Sequence, residues 1–150
     1  MESLYEVLNR PGNRPIIIRE AITLLDSEVQ RKRGISGFAV RQGFGVVRQL
    51  QGGGLLHRAV DGLLDEFTAA LEPFFAQWQA LEPHSRPPLD QWLPGVGGVA
   101  EALLQITDRR RQRIDNAVVT RAYDALRGTA LRHVEEAVPG IGELIGRFVD

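Results

Sequence analysis

The chain is 150 residues long, 43% hydrophobic and 25% charged, with 18 basic side chains against 19 acidic ones, three His and no Cys. That length and mix fit a single domain burying roughly 70% of the surface its unfolded chain would expose, and two full domains would be cramped. The near-zero net charge excludes a polybasic arm or an acidic tail as the organising feature. The lack of Cys excludes a disulfide framework, a thiolate nucleophile and a Cys-ligated metal centre.

Residues 1–10 carry Glu2 and Glu6 but no basic start, long apolar run or small-residue cleavage site, so no secretory leader is expected. The most apolar stretches, Ile16 to Ile18 and Phe67 to Leu81, are interrupted by polar residues well short of the roughly 18 positions a spanning helix needs. A soluble, cytoplasmic protein is expected. Lys32 is the single lysine, every other basic side chain being Arg. A GC-rich genome exchanges Lys for Arg wherever a surface charge suffices, which singles Lys32 out.

In chain order, Ser3 to Asn9 predicts one or two helical turns closed by Pro11, Gly12 and Pro15. From Ile16, the apolar positions Ile18, Ile22, Leu25 and Val29 step by four, three and four, one face of a helix that Gly34 would end. Ser36 is the expected N-cap of the next helix, where Ala39, Gly43, Val46, Val47 and Leu50 line up near Phe38 and Phe44, before Gly52 to Gly54 break it. Gly37, Gly43 and Gly45 each cost a helix about 1 kcal/mol relative to Ala, so this helix is expected to be central, with its backbone close to a neighbour.

The strongest pattern follows. Val60, Phe67, Phe74 and Leu81 recur every seven residues, and Leu64, Leu71 and Trp78 form a second series, together a seam along about 40 Å of helix. Pro73 predicts a kink or a break near Glu72. Residues 82–88, rich in proline, are the expected loop and the candidate internal boundary. Val99, Leu103 and Ile106 define a further helical face running into Asp108 to Arg113. Asp115 or Asn116 can cap a helix carrying Val119, Tyr123, Leu126, Ala130, Val134 and Val138, which Pro139 and Gly140 would stop before a short closing helix. No period-two run of useful length occurs. The expectation is an all-α, single-domain bundle of six or seven helices over residues 1–150.

Candidate chemistry is sparse. Gly52 to Gly54 lead into Leu55 and Leu56 with no Lys-Ser or Lys-Thr pair and no preceding strand, so a hinge is expected rather than a phosphate loop. His57, His84 and His133 lack the i,i+4 His pair of a helical zinc site and the paired Glu-x-x-His of a di-iron bundle, so no metal is expected. Arg109, Arg110, Arg111 and Arg113 spread over more than half a helix circumference near its C-terminus, reading as a solvated or ion-paired end rather than a nucleic-acid surface. No carboxylate pair stands beside a nucleophile, and no serine has a catalytic context, so neither catalytic residues nor a cofactor are expected. Phe67, Phe74, Phe75, Trp78 and Trp92 are candidates for a contact surface or the lining of an apolar pocket, against the simpler reading that they are core.

The segment Asp26-Ser-Glu-Val-Gln-Arg-Lys-Arg-Gly-Ile-Ser-Gly37 resembles the form Asp-x-Glu-Val-x-x-Lys-x-Gly-Leu-Ser-Gly of a family of short bacterial, actinobacterial-type proteins classed as a domain of unknown function. The resemblance continues through Ala59 to Phe67, Ala100 to Leu104 and Tyr123 to Gly142, including His133-Val-Glu-Glu-Ala-Val-Pro-Gly140. It implies a helical domain with no assigned activity, so no functional residue is carried over from it.

The first motif also has a physical reading of its own. Glu28 and Lys32 form an i,i+4 pair in the favourable order. Lys32 is expected to be partly buried, its ammonium bonded to Asp26, Glu28 or a carbonyl where a guanidinium fork does not fit, with Gly34, Ser36 and Gly37 pinned at a tight corner. The leading functional expectation is a non-enzymatic helical module acting through protein contacts, self-association included, with the exposed side of the Phe67 to Leu81 seam as its surface. The alternative is a carrier enclosing a lipid or acyl-like ligand between the aromatic and glycine-bearing helices. A carboxylate-based enzyme and a nucleic-acid binder rank below these.

Overall fold

Ser3 opens helix α1 (Leu4–Leu8) with a reciprocal cap: its hydroxyl accepts from the Glu6 N–H, and the Glu6 carboxylate accepts from the Ser3 N–H. In a computed structural model, which describes residues 2–149 without the side chains of Ser36 and Gln51, Glu72 completes this cap from 68 residues away. Its carboxylate oxygens accept from the Leu4 N–H at 3.1 and 2.8 Å, fastening α1 to the long helix α4 (Gly54–Gln79).

The remaining elements are α2 (Asn13–Arg31), α3 (Gly34–Gln49), α5 (Leu89–Val96), α6 (Val99–Arg111), α7 (Ala117–Leu126) and α8 (Ala130–Gly146), with 3-10 turns at Leu50–Gly53 and Arg127–Thr129. The fold is a single all-α domain: seven helices of eight residues or more, one short helix, and no strand among the described residues. No helix is long and apolar enough to cross a membrane.

The core is drawn from α1, α2, α4, α5, α6 and α8, with Leu4, Ile17, Leu71, Phe75, Leu93, Leu103 and Ile145 among its buried members. None of its members comes from α3 or α7. These two helices pack on each other at the flank of the bundle, α7 burying no residue fully. The expectation of a central α3 is therefore corrected. Its glycines do not report a core position: a Cβ at Gly43 would stand 3.2 Å from Leu126 of α7, whereas one at Gly45 would meet nothing within 4 Å.

Three other expectations change. The buried face of α2 holds Ile18 and Val29 of the predicted stripe but widens to Ile17 and Glu28, and it leaves Leu25 exposed. Helix α4 runs unbroken through Pro73, and α8 runs unbroken through Pro139 and Gly140. Both prolines are exposed, as are the residues four before them, Ala69 and Glu135, so the carbonyl each leaves unbonded can turn to water. The predicted helix from residue 116 to 138 divides instead at Arg127–Thr129. Helix α5 was not predicted at all. It follows the 82–88 loop, which is tied back to α4: the Trp78 indole N–H donates to the Pro87 carbonyl at 2.8 Å, and Arg86 lies 4.0 Å over the Trp78 ring.

Beyond Pro139, glycines let α8 pack closely on its neighbours. A Cβ at Gly142 would fall 2.7 Å from the Leu89 carbonyl oxygen, and one at Gly140 would run into a Leu24 methyl. The α5 backbone cannot retreat from the first contact. Gly142→Ala is thus expected to lower unfolding free energy by about 1–3 kcal/mol through overpacking. Gly146→Ala, where a Cβ meets nothing within 4 Å, is expected to be neutral or mildly stabilising. Urea unfolding of the two variants checks the pair; equal effects would contradict the close α5–α8 approach.

Candidate functional site

The motif Asp26 to Gly37 forms the corner between α2 and α3. Lys32 is the C-cap of α2, its N–H donating to the Val29 carbonyl at 3.2 Å. Gly34 takes φ +76°, a left-handed conformation that glycine adopts without strain, and it opens α3 rather than merely ending α2. The N-cap of α3 is Arg33, without a side-chain cap. Ser36, expected at that position, lies inside α3, and its side chain is outside the described residues. Gly37 packs directly on the preceding turn, where a Cβ would come 2.6 Å from the Lys32 carbonyl carbon. The Arg41 guanidinium donates back to the Lys32 carbonyl oxygen.

The Lys32 side chain is buried, with the residue 6% exposed, and so is Glu28 at 7%. Three acceptors surround the ammonium. Its Nζ donates to Glu136 Oε1 at 3.2 Å and to the His133 carbonyl at 3.4 Å, both on α8, and stands 3.7 Å from Glu28 Oε2. Three acceptors spread around one point suit three ammonium donors better than a planar fork. Asp26 is not among them and pairs with Arg48 at 3.6 Å. Arg31 donates to the other Glu28 oxygen, so the buried carboxylate has two cationic partners. His133 Nδ1 lies 3.3 Å from Glu136 Oε1, while its Nε2 is buried with no hydrogen-bond partner among the described residues. The hydrogen bond from Lys32 holds the Glu136 carboxyl below its ordinary value, outweighing the opposite push of desolvation.

His133, Glu136 and Gly140 are the half of this site that residue reasoning about the first motif did not reach. They lie about a hundred positions from Lys32, and only the resemblance, which quoted both segments, hinted that they belong together. The cluster joins the end of α2, the start of α3 and the first half of α8. No group of three His, Asp or Glu among the described residues could hold a metal. The cluster's chemistry is that of a fastening.

The other candidates are placed as follows. Phe75 and Trp78 are buried and stacked with ring centroids 5.8 Å apart, while Phe67, Phe74 and Trp92 are half-buried against the same core. None of the five is exposed. The α2–α8 cleft of about 720 Å³, lined by Glu20, Glu28, Arg31, Glu143 and Arg147, contains none of them either. Arg147 bridges Glu20 and Glu143 there. Within the arginine run, Arg110 pairs with Glu66 at 2.8 Å and Arg111 with Asp124 at 2.6 Å, the ion-paired helix end that was expected.

Replacing Lys32 by Met leaves Glu28 with Arg31 alone and removes the polar link between the end of α2 and the first half of α8. The expected loss is about 2 kcal/mol, or about 6 °C in melting temperature. Lys32→Arg is expected to lower it as well, and both variants melting within about a degree of the parent would contradict the fastening. Because the Glu136 pKa is lowered on folding, its contribution is complete above the ordinary value of 4.5 and is lost as pH falls through the lowered one. The stability gap between the parent and Glu136→Gln should accordingly close on acidification, and a gap constant from pH 7 to pH 3 would count against the pairing.

Comparison with curated proteins and with solved structures finds no match. Residues 4–149 match the model of a family described as a family of unknown function, DUF6918. That span holds both the Lys32 corner and the α8 segment fastened to it, and the chain belongs to this family.

Proposed function

We propose that the chain is a non-enzymatic helical module that acts through protein contacts, and that a second copy of itself is one partner. The observation that carries this reading is the outer face of α3. Ile35 is 92% exposed and Phe38 56% exposed, three positions apart and immediately after the fastened corner, with Val46 further along. A rigidly held corner that presents an isoleucine and a phenylalanine to water serves contact better than it serves stability. The contact surface expected on α4 moves, in this proposal, to α3.

Two features favour a second copy over an unlike partner. The outer face of α3 comprises Ile35, Phe38, Ala39, Gln42, Gly45, Val46 and Gln49, without a charge, so it meets its own image without like-charge repulsion. The chain also exposes 8689 Å² at 16.6 kDa, about 1,100 Å² more than the roughly 7,600 Å² typical of a folded monomer of that mass. A standard interface covers about 800 Å² per partner. Near-complete use of Arg over Lys supports a bacterial setting for the module.

Light scattering on a sizing column is expected to give a mass near twice 16.6 kDa for the parent. Phe38→Glu should weaken association at least about tenfold, the loss of one aromatic anchor, while its helical content by circular dichroism stays that of the parent. A parent that stays monomeric at high concentration overturns the reading.

A further inference from the structure

Resting on that reading, we infer that two copies pair through α3 alone in an antiparallel, two-fold arrangement whose axis passes at Gln42. The face repeats as a seam: Ile35, Gln42 and Gln49 are seven apart, as are Phe38 and Gly45. That is the spacing by which one helix lines a partner. A two-fold interface requires each residue i to meet a residue j that meets i in return. Centred on Gln42, the face satisfies this position by position. Phe38 comes opposite the partner's Val46, Ala39 opposite the partner's Gly45, and Ile35 opposite the partner's Gln49.

The pairing is physically consistent at each step. Ala39 against Gly45 is a small residue against a smaller one, letting the backbones close in beside the axis. Gly45 is open on this side, with nothing within 4 Å of where its Cβ would be, so it has room for the neighbouring Phe38 ring of the other copy. Gln42 on the axis carries both a donor and an acceptor and can bond its own image. The two cations that border the seam are engaged elsewhere: Arg41 on the Lys32 carbonyl, and Arg48 with Asp26 and the Phe44 ring. Antiparallel helices also align their dipoles favourably, whereas a parallel pair would stack Phe38 on Phe38.

The chain has no Cys, so single introduced cysteines report on the pairing without background. Gln42→Cys is expected to form a disulfide-linked dimer under mild oxidation at high yield. Ile35→Cys alone should not, because the two copies would stand about 21 Å apart along the seam at 1.5 Å per residue. A mixture of Ile35→Cys and Gln49→Cys chains should link to each other. Gln91→Cys, at an exposed position of α5, is the unlinked control, and circular dichroism confirms that each variant folds. If the parent is a dimer by light scattering but Gln42→Cys does not link, the α3 register is wrong while self-association stands. Linking of both Gln42→Cys and Ile35→Cys means a parallel pair and overturns the inference, and a monomeric parent overturns both.

Discussion

One ammonium group, Lys32 Nζ, organises the part of this protein that its core does not. It sits where α2 ends and is shared by Glu136 and the His133 carbonyl of α8, with Glu28 beside it. A buried cation is costly to desolvate, and it is tolerated only when acceptors surround it. Once they do, its position is restricted to the point where those acceptors converge. The chain must then leave Lys32 in one direction, through left-handed Gly34 and past Gly37, whose missing side chain lets α3 fold back against the Lys32 backbone. The course of α3 is set at that corner, and Val40 is its buried apolar residue further along.

This arrangement separates stability from presentation. Helices α1, α2, α4, α5, α6 and α8 consume the large apolar groups, including the aromatic side chains Phe67, Phe74, Phe75, Trp78 and Trp92. Helices α3 and α7 contribute to each other and not to that core. A flank of this kind would be free to drift if packing alone held it, since few buried contacts resist local opening. The charged fastening at one end of α3, and the close approach of Gly43 to Leu126 of α7, supply the missing constraint. The apolar outer face of α3 then remains available, held in place but unsatisfied.

Much of this was legible in the sequence, and the failures have identifiable causes. The seam of α4, the Asn116 cap of α7 and the Glu28–Lys32 pair are local patterns, and local spacing reports them faithfully. Reading a stop into Pro139-Gly140 failed because proline on an exposed helix side leaves only a carbonyl that water can satisfy, and because the glycines answer to α2 and α5, which spacing within α8 cannot reveal. The α2 stripe was legible only in part: Ile18 and Val29 are buried as it predicts, but so are Ile17 and Glu28, and Glu28 looks like a surface residue until Lys32 and Arg31 are placed around it. Glycines in α3 did signal close approach, yet the neighbours were Lys32 itself and α7, so closeness was mistaken for centrality. Helix α5 was hidden by its brevity and by the proline loop before it. The α8 half of the fastening was beyond local reasoning altogether, because only the fold brings His133 and Glu136 to Lys32.

The most direct test is amide hydrogen exchange of the parent and Lys32→Met under identical conditions. If Lys32 governs the corner, protection falls across residues 33–49 and at the start of α8, while the amides of α4 and α6 keep theirs. Unchanged protection in α3, with any loss spread evenly over the chain, would show that the ammonium is one stabilising contact among many and that α3 is held by something else.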